Sequence, residues 1–247
     1  MKILVANWKM NFKLPEAVEY AANLEARIKP PEDVEVVIAP SNLFIYPLSQ
    51  ALRSGKIQLS AQNLSAPEFG AFTGETSSAQ LAGFVKYSII GHSERRQLFG
   101  EMDEDIAEKV KFAIDSEITP IICVGETASE KENGQTTEVL KTQITSALSS
   151  IDPSQVILAY EPVWAISSTP GAQQATPEVI AQTLEIIKRI IADIGPEQPP
   201  ILYGGSVNPD NIETYLALDD ISGFLIGNAS LDVDKMYAMI EATKGIA

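Results

Sequence analysis

Residues 3–11 read ILVANWKMN: four apolar residues, Ile3 to Ala6, run directly into the turn Asn7, Trp8, Lys9, Met10, Asn11. A strand that is apolar at consecutive positions is buried on both faces, the state of strands in a parallel sheet covered by helices. The turn after it separates two α/β architectures. An open doubly wound sheet built to hold a dinucleotide places G-x-G-x-x-G there, whereas residues 7–11 contain no glycine. A pair of polar side chains stands there instead, Asn7 and Lys9, two apart and so on one side of an extended chain.

Outward from this stretch the pattern repeats. Further strand-like runs lie at Val34 to Ala39, Ile57 to Ala61, Tyr87 to Ile90, Thr119 to Val124, Val156 to Tyr160, Ile201 to Tyr203 and Gly223 to Ile226. Segments of helical period separate them. The clearest is Thr176 to Ile194, where Ile180, Leu184, Ile187, Ile191 and Ile194 recur every three or four residues. Thr176 suits its N-cap, Pro177 its first position and Gly195 its C-terminal stop. Asp103 to Ile114 reads as another helix, with an acidic first turn and Ile106, Val110 and Ala113 on one face. Eight strands that each return through a helix must pair in parallel. The expectation is an α/β fold of the (β/α)8 barrel type, eight parallel strands inside a ring of helices, with residues 1–247 forming one domain.

Composition agrees with a folded chain: 45% of residues are hydrophobic and 21% charged, and no Gly, Pro or Ser tract is long enough to act as a linker. The net charge of −15 repels nucleic acid and anionic membranes, so neither is expected as a partner. A small anion held by local dipoles remains compatible with it. The single cysteine, Cys123, cannot form an internal disulfide, and no signal peptide precedes the first strand, so the expected location is the cytoplasm.

Barrel active sites gather at the C-terminal ends of strands. Asn7 and Lys9 follow the first strand, His92 the fourth, and Glu161, in AYEPVW, the sixth. YGGSVNPDN follows the seventh and LIGNAS the eighth, which sets Gly204, Gly205 and Gly227 beside expected helix starts. Backbone N–H groups and a positive dipole end make an anion site there. Each residue alone has an ordinary explanation. A solitary histidine near a strand end is commonly structural, a lysine is commonly solvated, a glutamate sits in an ion pair, and glycines make turns. A cation, an imidazole, a carboxylate and an anion cradle at one mouth specify more than that. A carboxylate facing a hydrogen-bond donor removes a carbon-bound proton beside a carbonyl while the donor stabilises the enolate oxygen. One histidine and one distant cysteine cannot build a typical zinc site, no acidic cluster marks a magnesium site, and no cofactor is expected. Schiff-base aldol chemistry at Lys9 is a competing reading.

The motifs ANWKMN, SAQN, GAFTGE, IIGHSERR, CVGE, AYEPVWAI, YGGSV and IGNASL, in this order across the whole chain, resemble those of the triosephosphate isomerase family. That resemblance implies interconversion of dihydroxyacetone phosphate and glyceraldehyde 3-phosphate through an enediolate, without a cofactor or metal. The family is itself the standard case of a glutamate base opposed by a neutral histidine at a helix N-terminus, closed off by a lid. Carried onto matching positions, Glu161 is the base and His92 the electrophile. Lys9 adds positive charge near the enediolate and the phosphate, Asn7 orients the substrate, and Glu94 supports the site. Ser206, Gly227 and Asn228 offer backbone N–H groups to the phosphate.

Two departures from the family pattern stand out. The segment between Glu161 and Thr176 is longer than family members commonly have, so the lid's N–H donor to the phosphate is Ser167 or Gly171 depending on where the extra residues fall. A sugar-phosphate-binding paralogue with an altered lid and impaired turnover is the alternative function. Asn228 stands where a second glycine is usual, and asparagine tolerates left-handed dihedrals. The resemblance also implies a homodimer, in which the loop Gly70 to Glu75, with Thr73 at its tip, reaches into a partner near that partner's lysine.

Overall fold

The computed structural model describes residues 1–29, 34–166 and 173–245. The chain alternates strand and helix from β1 (Lys2–Asn7) and α1 (Leu14–Arg27) through β2 (Val34–Ala39), α2 (Asn42–Ala51), β3 (Ile57–Ala61), α3 (Ser78–Leu81) and β4 (Tyr87–Ile90). It continues with α4 (Ser93–Phe99), α5 (Asp103–Asp115), β5 (Thr119–Val124), α6 (Ala128–Glu132), α7 (Thr136–Ala147), β6 (Ile157–Tyr160), α8 (Pro177–Ile194) and β7 (Ile201–Tyr203). The last elements are α9 (Ile212–Leu216), β8 (Gly223–Ile226) and α10 (Val233–Thr243). The strands form a closed barrel in sequence order, all parallel, and β1 pairs with both β2 and β8. This is the (β/α)8 architecture that the repeated strand runs predict.

The two-residue period of a strand explains why those runs are apolar throughout. Ile3, Val5, Ile121, Cys123, Ile157, Ala159, Leu202 and Leu225 pack together inside the barrel. Their neighbours Leu4, Ala6, Ile122, Val124, Leu158, Tyr160, Tyr203, Phe224 and Ile226 face the helix layer. Both faces are therefore dry. The alternation also sets the mouth: Asn7 continues the inward phase of Ile3 and Val5, and Glu161 that of Ile157 and Ala159.

The seam between β8 and β1 depends on one residue. Gly223 has φ +152°, and a Cβ there would lie 1.8 Å from the Ile3 carbonyl oxygen, so no side chain fits where the barrel closes.

Helix periodicity translates into burial as expected. In α8 the buried side chains include Ile180, Leu184, Ile187 and Ile191, and the Thr176 hydroxyl caps the helix by accepting from the Val179 N–H at 3.5 Å. In α5 they are Ile106, Val110 and Ala113, joined by Lys109, which donates to Asn63 and to Glu101. The C-terminal end of α8 differs from the expectation in kind. Gly195 has φ −170°, extended backbone open to any residue, so it ends the helix without using glycine's left-handed freedom. Among the described residues no helix is long and apolar enough to cross a membrane.

Candidate active site

β1 runs one residue beyond the apolar stretch. Asn7 is paired in register with Ala39 and is buried, which fixes its side chain at the barrel mouth. The chain then leaves the extended state: Lys9 has φ +51°. Asn7 and Lys9 therefore converge through a turn, not by strand alternation, which corrects the expectation from spacing. That dihedral costs a non-glycine residue on the order of 1 kcal/mol or more. Two side chains hold it in place. The Lys9 N–H donates to Asn7 Oδ1 at 3.1 Å, and Gln62 Nε2 donates to the Lys9 carbonyl at 2.8 Å.

His92 caps the N-terminus of α4. The Glu94 N–H donates to His92 Nδ1 at 3.2 Å, which leaves the proton of the neutral ring on Nε2. Nε2 faces Glu161 Oε1 at 3.2 Å. The other carboxylate oxygen, Oε2, accepts from the Ser93 N–H, also at 3.2 Å. Glu161 is 3% exposed. A carboxylate buried that deeply costs several kcal/mol unless such donors satisfy it. Close packing on its other flank comes from Gly204, where a Cβ would stand 2.7 Å from Glu161 Cγ.

Lys9 Nζ pairs with Glu94 Oε1 at 2.5 Å, so Glu94 supports both the lysine, through its side chain, and the histidine, through its N–H. This pairing engages the Lys9 amine with a carboxylate, which does not favour its use as a Schiff-base nucleophile. Cys123 lies inside the barrel near Glu161. Burial and the neighbouring carboxylate push its thiol well above the usual range, so it is an inert core residue.

Asn7, Lys9, His92, Glu161, Gly204, Gly205 and Gly227 line one cavity, so strand ends far apart in sequence do meet. The cradle differs in detail from the reading of adjacent helix starts. After β7, α9 begins only at Ile212, and the intervening loop is ordered by Asn211, which accepts from the Asn208 N–H and donates to the Ser206 carbonyl, each at 2.8 Å. After β8 a single 3-10 turn, Asn228–Leu231, opens directly behind Gly227. Asn228 is not among the residues with positive φ, so the missing glycine has no conformational cost there. The Ser206 hydroxyl donates to the Ala165 carbonyl at 2.8 Å, tying the loop after β7 to the segment after Glu161. Ser167 and Gly171 lie outside the described residues.

Sequence reasoning passed over Gln62, Asn211 and the buried Glu126. Glu126 accepts from Trp164 Nε1 at 2.8 Å and from the Tyr160 hydroxyl at 3.2 Å, and so anchors the chain just after Glu161. Gln62 and Glu126 lie within motifs that also contain Asn63 and Cys123, but nothing in the residue types marks which member braces a backbone turn, as Gln62 does, or anchors another side chain, as Glu126 does.

Comparison with known proteins gives a consistent result. The family model described as Triosephosphate isomerase matches residues 2–243. A triosephosphate isomerase of Dehalococcoides mccartyi is 40% identical over 241 residues, covering 96% of this chain and 94% of that protein. One from Endomicrobium trichonymphae is 38% identical over 249 residues, covering 98% of each.

Proposed function

The chain belongs to the triosephosphate isomerase family and interconverts dihydroxyacetone phosphate and D-glyceraldehyde 3-phosphate, and we propose that Glu161, His92 and Lys9 carry that reaction. The observation behind this assignment is the 3.2 Å approach of His92 Nε2 to Glu161 Oε1 in a cavity shared with Lys9. Substrate entering that cavity replaces the contact between the two side chains. Glu161 takes the proton from C1 of the ketose as the C1–H electron pair becomes the C1–C2 double bond, and the carbonyl π pair moves to O2. The Nε2–H gives its proton to O2 while Nε2 takes the O1 hydroxyl proton, so the hydroxyl hydrogen passes from O1 to O2 and the negative charge from O2 to O1, with Lys9 adding positive potential. Glu161 returns the proton to C2, which gives the aldose.

Asn7 orients the substrate, Glu94 positions Lys9 and His92, and the N–H groups of Ser206, Gly227 and Asn228 hold the phosphate. The Ser206 N–H has no acceptor among the described residues, which suits that use. The lid donor is Ser167 or Gly171. The chain works as one domain in the cytoplasm.

A homodimer completes this reading. Met10, Leu43, Phe69, Phe72 and Phe99 are large, apolar and exposed, and Met10 and Phe99 line a cavity of about 340 Å³ with Lys9, His92 and Glu94. The loop Gly70 to Glu75, its base joined by the Ser65 N–H donating to the Thr76 carbonyl at 2.8 Å, is the segment that a second copy receives there.

A coupled isomerase assay tests the assignment. Glu161→Gln is expected to lower kcat about 10²- to 10⁴-fold, the range for a lost general base. His92→Gln is expected to lose about 10²- to 10³-fold, as for a lost oxyanion donor. Near-wild-type turnover in either variant would reject the assigned role.

A further inference from the structure

The outer side of the phosphate cradle carries a cation that the roles above leave unused. Gly205 and Gly227 line the cavity of Glu161 and His92, and they also line a second, outer cavity of about 350 Å³ that reaches the exposed Lys235. Ser206, Asn228, Asp210 and Lys235 complete much of that outer wall. Lys235 sits in the first turn of α10, where its backbone N–H donates to the capping Asp232 at 3.1 Å. Its side chain is exposed, and among the described residues its ammonium makes no ion pair or hydrogen bond.

The surrounding charges give this cation weight. The protein carries a net −15, which opposes the approach of a phosphate dianion. On the inner side of the cradle Lys9 is tied to Glu94 at 2.5 Å. On the outer side Asp210 shares the wall and Asp232 caps the helix, while Asp234 is engaged with Arg27 at 2.5 Å. Among the described residues Lys235 is the only Lys or Arg that lines the outer cavity. Without it, the one charged side chain left on that wall among the described residues is the carboxylate of Asp210.

Resting on the assignment of Ser206, Gly227 and Asn228 to the phosphate, we propose that Lys235 is a substrate-recruiting residue. It offsets Asp210 beside Ser206 and Asn228 of the cradle and raises affinity for the phosphate end of the substrate, and it takes no part in proton transfer. Its effect is electrostatic and acts across a gap, so it is sensitive to salt in a way that a packing role is not.

The test compares wild type with Lys235→Ala, Lys235→Glu and Lys235→Arg at about 0.01 M and about 1 M ionic strength, where the Debye length falls from about 30 Å to about 3 Å. At low salt Lys235→Ala is expected to raise KM about two- to threefold and Lys235→Glu about fivefold, the size of one or two screened charge interactions across several ångströms of water. kcat stays unchanged, Lys235→Arg behaves as wild type, the inhibition constant of inorganic phosphate moves with KM, and all differences vanish at high salt. Unmoved KM and phosphate inhibition at low salt, shifts that persist at high salt, or a loss confined to kcat each overturn the proposal. A failure of the underlying phosphate assignment reads differently: Gly227→Val, whose side chain would enter the cradle beside Lys9, would then leave phosphate inhibition unmoved with Lys235 intact.

Discussion

The amide of Gln62 donates to two backbone carbonyls at once, those of Lys9 and Ala39, each at 2.8 Å. It thereby joins the turn after β1 to the end of β2 at the point where Lys9 adopts its left-handed dihedral. Gln62→Glu keeps the shape and replaces the shared donor with a carboxylate facing two carbonyl oxygens. The expected cost is about 2–3 kcal/mol of stability, from two lost bonds and a repulsive acceptor contact, with a lower melting temperature at neutral pH. A thermal melt indistinguishable from wild type would show that the amide does not brace this turn. The meeting of Lys9, His92 and Glu161 in one cavity was legible because their position at strand ends is read from hydrophobic runs. Gln62 and Asn211 were not, because both act on backbone groups that residue types do not encode. The φ of Lys9 is likewise invisible to a pattern that counts spacing along an extended chain.

Among the elements, the strands were read within about a residue because each is bounded by an abrupt change from apolar to polar or glycine-rich sequence. The loop after β7 was less legible: glycines signalled a close approach, but the side-chain bonds of Asn211 replace the helix start expected there. The segment following β6 was the least legible, since its length fits two registers, with Ser167 or Gly171 as the proposed donor. What precedes residues 167–172 is firmly tied. Trp164 donates to Glu126, the Val163 N–H donates to the Glu126 carbonyl at 3.0 Å, and Lys131 Nζ lies 3.2 Å from the Trp164 ring centroid. Beyond the segment, the Gln173 N–H donates to the Trp164 carbonyl at 3.2 Å. Trp164→Phe preserves a ring for Lys131 but deletes the indole donor, leaving a carboxylate oxygen of the buried Glu126 short of a partner. A loss of about 1–3 kcal/mol in unfolding free energy is expected, measured by urea denaturation. An unchanged midpoint and slope would mean that the indole bond contributes nothing to anchoring the lid.

At the scale of the molecule two forces oppose each other in the proposed dimer. Each chain brings a net −15 to the encounter, while Met10, Leu43, Phe69, Phe72 and Phe99 offer apolar surface that a monomer leaves in water. Salt screens the repulsion and leaves the apolar contact nearly intact. The dimer is therefore expected to tighten as ionic strength rises from about 0.01 M to about 0.15 M, the opposite of an assembly held by ion pairs. Phe72 is 50% exposed in the isolated chain and adjoins Thr73 at the loop tip, so its burial against a partner is worth about 1–2 kcal/mol. Phe72→Asp removes that gain and adds a desolvated charge. Sedimentation velocity should then show wild type at twice the chain mass, dissociating first on dilution in low salt, and the variant as a monomer under all these conditions. Activity should fall with dissociation, because the cavity beside Lys9 loses the loop that covers it. A variant that sediments and turns over like wild type would place the interface elsewhere and leave these exposed side chains without a partner.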